Sequence, residues 1–228
     1  MKQLVLGVRL RAGAVFAGFW PGVNTEIVCA LQTQSTAPLW LWGTRGSGKS
    51  HLLQAVCAAA GEEAAYFPLD RSIALPAAAL AGFERSRVLC IDDVDAVAGD
   101  LTWERALFRV FNEAADLRTR LIFASATPPR QPEWALEDWR SRAAACIVYQ
   151  LRELDDEGRL AALRLRAAQR GLELPRETSE YLIKRVPRDL RSLFEILDEL
   201  DEASLVAQRR LTIPFIRDAL EKHAKTKS

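Results

Sequence analysis

Leu39-Trp40-Leu41-Trp42-Gly43-Thr44-Arg45-Gly46-Ser47-Gly48-Lys49-Ser50 is the stretch on which the reading of the fold turns. A continuous apolar run reads as a buried strand, and residues 43–50 fit G-x-x-x-x-G-K-[ST] without exception. The residues from Lys49 to Ala60 then read as a helix. In such a loop Gly43, Gly46 and Gly48 let the backbone curl so that its N–H groups, with Ser47 among them, point at phosphate oxygens. The start of the helix adds the positive end of its dipole. Lys49 would reach the β- and γ-phosphates and the Ser50 hydroxyl would ligate magnesium. By average residue usage a chance match in a chain this long is about 1 in 100, and requiring a strand before and a helix after lowers it further.

Outward from this loop, short apolar runs recur: Ala65-Tyr66-Phe67, Val88-Leu89-Cys90-Ile91, Leu121-Ile122-Phe123 and Cys146-Ile147-Val148-Tyr149. They are continuous rather than alternating, which predicts strands covered on both faces of a parallel sheet. Helices are expected between them, a short one near Pro76–Phe83 and a longer one over Thr102–Asp116. After Leu151 only helical signals remain. Asp155 or Asp156 caps a helix that stops near Gly171, Pro175 opens a second, and Leu190, Leu193, Phe194, Leu197 and Leu200 stripe a third. Thr212 and Pro214 start a last helix, with Phe215, Ile216, Ala219 and Leu220 on its inner face. The fold class expected is α/β: a five-stranded parallel sheet flanked by helices, followed by a small all-helical domain.

Arg87-Val88-Leu89-Cys90-Ile91-Asp92-Asp93 supplies the acidic half of a phosphate site. An apolar strand carries two carboxylates to its C-terminal end, beside the loop. Asp92 would hold the magnesium shell, and Asp93 would polarise an attacking water.

Composition narrows the function. The 31 Lys and Arg nearly cancel the 30 Asp and Glu, so the basic excess expected of a protein that grips duplex DNA unaided is absent. Cys29, Cys57, Cys90 and Cys146 are scattered, which predicts reduced thiols rather than zinc or disulfides. No signal peptide is read at the start, and no apolar run approaches the roughly 20 residues that span a bilayer. A cytoplasmic protein with no membrane partner is expected.

Taken together, these residues resemble the AAA+ module of the DnaA family of bacterial replication initiators, and more closely its shortened Hda branch. The likeness covers nearly the whole chain. Phe16-Ala17-Gly18-Phe19-Trp20-Pro21-Gly22-Val23-Asn24 looks like the segment which that family places over adenine, with Phe16, Phe19 and Trp20 as contacts. The resemblance continues through residues 91–100 and through Thr127-Pro128-Pro129-Arg130-Gln131-Pro132. It implies an adenine nucleotide, ADP or ATP, with Mg2+. His51, packing at the start of the loop helix, is counted with the nucleotide set. Arg142 sits where the family has an arginine finger offered in trans. Arg188 sits where its lid arginine meets the nucleotide, with Arg191 as its rival. Where the first sensor of the family is polar this chain has Ala126, which leaves Ser125 or Thr127 to take its place and argues for weak or no intrinsic hydrolysis.

Gln3-Leu4-Val5-Leu6-Gly7-Val8 resembles the peptide by which replication proteins dock into the β sliding clamp: Leu4 and Leu6 in an apolar groove, the Gln3 amide anchoring one end, Gly7 weakening the fit. The expected layout is a tail over 1–12 with this peptide, an AAA+ nucleotide domain over 13–151, a helical lid over 152–224 and a tail over 225–228. The length leaves no room after the lid for the DNA-binding domain of the initiator. The reading this favours is a nucleotide-gated negative regulator of replication initiation, with DnaA and the DNA-loaded clamp as partners. Strong sequence-specific DNA binding is not expected, and self-association stays open. A small AAA+ ATPase that remodels or loads another protein is the alternative, and a DNA-binding paralogue of the initiator is opposed by charge and length.

Overall fold

The structure, a computed structural model, describes residues 13–70, 75–186, 189–207 and 211–218. By contacts the chain divides into two units, one comprising residues up to Ala17 and Val23–Glu153, the other Gly18–Gly22 with the residues from Leu154 onward.

The first unit holds a five-stranded parallel sheet. Its elements in chain order are α1 (Thr25–Gln32), β1 (Leu39–Trp42), α2 (Lys49–Ala60), β2 (Ala64–Pro68), β3 (Val88–Asp92), α3 (Leu101–Leu117), β4 (Arg120–Ser125), α4 (Glu137–Ala144) and β5 (Ile147–Gln150). The strand order is β2-β3-β4-β1-β5. β1 therefore lies between β4 and β5, with Leu39 opposite Ile122 on one side and Ile147 on the other. Within each strand the side chains alternate faces. Trp40, Phe67, Leu89, Ile91, Leu121 and Phe123 pack with Leu107, Val110 and Phe111 of α3 and Trp139 of α4. The rings of Trp40, Phe123, Trp134 and Trp139 lie 5.4–6.3 Å apart, mostly tilted or edge to face, the arrangement that aromatic quadrupoles favour.

Two expectations are corrected. Cys146 precedes β5, and among the described residues β5 is an edge strand paired with β1 alone. Its Ile147 and Val148 are 48% and 41% exposed rather than covered on both faces. An apolar run marks a strand but not its place in the order, which depends on pairings distant in sequence. The region expected as one short helix near Pro76–Phe83 forms two 3-10 turns, Ala77–Leu80 and Phe83–Arg85, split at Gly82 with φ +98°.

One buried carboxylate organises this unit. Glu104, on the first turn of α3, is fully buried and accepts three backbone N–H bonds: from Gly99 (2.7 Å) and Ala135 (3.1 Å) at Oε1, and from Leu136 (2.6 Å) at Oε2. It thereby joins the turn after the acidic strand to the N-cap residue of α4. Sequence reasoning passed over it, because a Glu early in a helix is ordinarily a solvated contribution to the helix dipole.

The second unit is helical: α5 (Asp156–Gln169), α6 (Arg176–Ile183), α7 (Leu190–Ala207) and a further helix over 213–218. Asp155 caps α5 by accepting from the Gly158 N–H. The helix closes with Gly171 N–H bonded to the Ala168 carbonyl and Leu172 N–H to that of Ala167, the Schellman pattern. Leu163, Leu182, Leu193, Leu197, Leu200, Phe215 and Ile216 are its buried core. Ala219 and Leu220 lie outside the described residues.

Candidate functional site

The phosphate loop leaves the sheet at the C-terminal end of β1, the end where open α/β sheets bind ligands. Gly43 is bonded through its N–H to the Ser125 carbonyl of β4 at 3.3 Å. A Cβ on Gly43 would lie 2.5 Å from the Leu151 carbonyl oxygen, so no side chain fits there. Gly46 and Gly48 take φ of +84° and +104°, which turns successive amides inward. α2 begins after Gly48 with no side-chain cap, so its first amides are left for a ligand. Ser47 Oγ is buried with no hydrogen-bond partner among the described residues. An orphan polar atom in such a loop is one that a phosphate oxygen would satisfy.

Lys49 is buried, and its Nζ donates to the carbonyls of Gly43 (2.6 Å) and Thr44 (2.9 Å). Burial lowers its pKa, opposed by the charges of Asp92, Asp93 and Asp95. The structure therefore gathers Gly43, Gly46, Ser47, Gly48, Lys49, Ser50, Asp92 and Asp93 at one end of the sheet.

Asp92 is buried at the last position of β3, where its Oδ1 accepts from the Asp93 N–H at 3.0 Å and its Oδ2 from the Tyr66 hydroxyl at 2.6 Å. Asp93 adopts the left-handed conformation at φ +54°, uncommon for a residue with a side chain. Burial pushes its carboxyl up to about 6, reinforced by Asp92 and Asp95 and opposed by Lys49. Such a group is mostly ionised at neutral pH and basic enough to take a proton.

Asp95, unremarked in the sequence reading beyond its family context, accepts from the Ala126 N–H at 3.0 Å and so ties the acidic turn to the end of β4. Ser125 cannot stand in for a polar first sensor. It is fully buried, accepts from Trp40 Nε1 (2.7 Å) and donates its one proton to the Thr127 carbonyl.

The residues fit a magnesium nucleotide. Among the described residues no three His, Cys, Asp or Glu converge as a metal cage. A magnesium ion held by one or two protein groups and by phosphate oxygens needs none. Ser50 and Asp92 are the groups that would hold it.

The remaining residues expected at the site fall in either unit or outside the described residues. His51 donates from Nε2 to the Val15 carbonyl at 3.0 Å, which ties α2 to the residue before Phe16. Phe16 is half-buried in the first unit, whereas Phe19 and Trp20 group with the second, Trp20 being 41% exposed. Arg188 lies outside the described residues, as do Gln3, Leu4 and Leu6. Arg191 donates to Glu195 at 2.8 Å on the same face of α7. Arg142 is exposed in the last turn of α4, its guanidinium carbon 6.0 and 5.8 Å from the ring centres of Phe108 and Phe111 on α3. Among the described residues it makes no ion pair.

A 5-stranded parallel sheet in the order β2-β3-β4-β1-β5, a phosphate loop after β1, carboxylates ending β3 and a separate helical unit define an AAA+ nucleotide-binding fold. Solved structures agree. Domain III of the Thermotoga maritima replication initiation protein DnaA is 22% identical with a TM-score of 0.75, covering 92% of this chain and 96% of that one. DnaA from Aquifex aeolicus bound to AMPPCP is 22% identical with a TM-score of 0.62, over 79% of this chain and 61% of that one. The RuvB branch migration motor of Thermotoga maritima is more distant, 14% identical with a TM-score of 0.62, over 86% and 67%. Residues 156–220 match the family described as Hda, lid domain. The helical unit therefore carries the likeness to the Hda lid family, and the chain as a whole shares its fold with the AAA+ domain of DnaA. No helix among the described residues is long and apolar enough to cross a membrane.

Proposed function

We propose that this protein is a negative regulator of replication initiation that binds an adenine nucleotide, ADP in its working state, and presents Arg142 to ATP held by DnaA. The observation that carries the reading is the state of Arg142: exposed, laid against two phenylalanine rings, and without an ion pair among the described residues. A guanidinium held in this way keeps its donors for an incoming γ-phosphate, and an arginine supplied in trans raises hydrolysis by about 10³–10⁵-fold. The phosphate loop and helical lid then act as a switch, because a ligand that binds two conformations differently shifts their populations. Gln3, Leu4 and Leu6 would hold the protein on the DNA-loaded sliding clamp.

The test is a reconstitution of DnaA, clamp, DNA and this protein, following loss of DnaA-bound ATP with ADP present. Arg142→Ala should keep ADP and clamp binding yet return hydrolysis to the rate of DnaA alone. Full stimulation by this variant would remove the assigned role.

A second reading, an ATPase acting on its own, draws support from Asp93, whose carboxyl near 6 suits a general base. Ala126 and the committed Ser125 hydroxyl count against it, since neither can orient water at a γ-phosphate. Rapid turnover by the purified protein without DnaA would favour it.

A further inference from the structure

Tyr66 lies in β2, within an apolar run whose pattern predicts a strand covered on both faces. Strand alternation sends its neighbours Ala65 and Phe67 to the aromatic face of the sheet, and Tyr66 to the other. The parallel register sets Tyr66 opposite Cys90, two residues before Asp92. Tyr66, Cys90 and Asp92 therefore share the face covered by α2. There Ser50 and Gln54, one helical turn apart, come within hydrogen-bonding reach of the phenol, and its hydroxyl donates to Asp92 Oδ2 at 2.6 Å. One side chain thus bonds Asp92 from the acidic strand and lies near Ser50 from the loop helix, the two groups that would hold the magnesium ion.

We propose that Tyr66 is a positioning residue for the metal: its hydroxyl fixes the rotamer of Asp92 and aims the carboxylate at the ion beside Ser50. This rests on the magnesium-nucleotide reading above. Asp92 has two oxygens with two lone pairs each. The Asp93 N–H takes one on Oδ1 and Tyr66 one on Oδ2, which locks the carboxylate plane and leaves a lone pair on each oxygen for the metal or its water. The phenol is the donor in this bond, because the Asp92 oxygen it meets is an acceptor. Groups that orient a ligating carboxylate in this way typically change metal affinity by about 10–100-fold when removed.

The experiment uses the full chain and a fluorescent ADP analogue, with affinity measured in EDTA and over a magnesium titration. For Tyr66→Phe the affinity in EDTA should match wild type within about twofold, while the magnesium midpoint rises about tenfold or more. An unchanged midpoint would overturn the proposal, as would an equal loss in the EDTA arm, which would mark a general packing role. Asp92→Asn is the reference for the metal. If it leaves the magnesium dependence intact, the metal reading itself fails, and if wild type does not bind the analogue, the nucleotide reading fails.

Discussion

Replacing Glu104 with glutamine changes one atom of a fully buried side chain, and the structure sets what that should cost. The carboxylate accepts from Gly99 and Ala135 at Oε1 and from Leu136 at Oε2. Glutamine offers one carbonyl oxygen and one NH2 group. Its better flip keeps the oxygen on the pair of amides and turns the NH2 toward the Leu136 N–H, a donor against a donor. One hydrogen bond to a charged group is lost, worth about 1.5–3 kcal/mol, and a buried N–H is left unpaired. The two surviving bonds become neutral and weaken, whereas the cost of burying a charge is relieved. The net expectation is a loss of about 2–3 kcal/mol. Glu104→Ala, which orphans all three amides and opens a cavity, should cost about 3–5 kcal/mol. Urea unfolding followed by tryptophan fluorescence measures this in the right unit, since Trp40, Trp134 and Trp139 pack together there. The effect should be selective. Leu136 caps the helix that carries Arg142, while Lys49 belongs to α2 and makes no bond to Glu104, so folded Glu104→Gln protein should bind ADP normally and stimulate DnaA poorly. A change in stability below about 0.5 kcal/mol, the scale of a surface substitution, would refute the account of Glu104 as the acceptor that joins these segments.

Two further outcomes follow from the site. The folded pKa of Asp93, about 6, is raised above its ordinary 3.8, so its protonated form favours the fold; that contribution is full below pH 4 and lost as pH rises through 6. The nucleotide-free Asp93→Asn variant, which cannot ionise and tolerates the left-handed backbone, should gain stability relative to wild type between pH 4.5 and 7, and a constant or shrinking difference in urea midpoints would contradict this. Gly43→Ala places a Cβ 2.5 Å from the Leu151 carbonyl, a contact no real Cβ makes, so the loop must shift; calorimetry should show ADP affinity lowered at least tenfold, and wild-type affinity would mean that the loop has room there.

The phosphate site was legible because its chemistry is local. Gly43 to Ser50 would work through their own backbone amides, and a strand, a turn and a helix that meet within twelve residues need no distant partner to be recognised. Asp92 and Asp93 were legible for a related reason: a buried apolar run that ends in carboxylates must bring them out at the end of its strand. The helical second unit was likewise visible in its leucine spacing, and its caps at Asp155 and Gly171 are local hydrogen-bond patterns.

What the residues could not declare were roles created by strands that meet from far apart in the chain. Tyr66 and Asp92 are 26 residues apart, Trp40 and Ser125 are 85 apart, and Glu104 reaches across 31 and 32 residues to Ala135 and Leu136. The first depends on β2 lying beside β3, the second on β1 lying beside β4, and the third on α3 packing beside the segment that leads into α4. The same order left β5 at an edge, with Ile147 and Val148 exposed although their run reads as buried. Backbone conformation is governed by neighbours along the chain, and so it can be read there. A hydrogen bond between side chains exists only once the sheet has chosen which strands are adjacent, and that choice belongs to the packed structure.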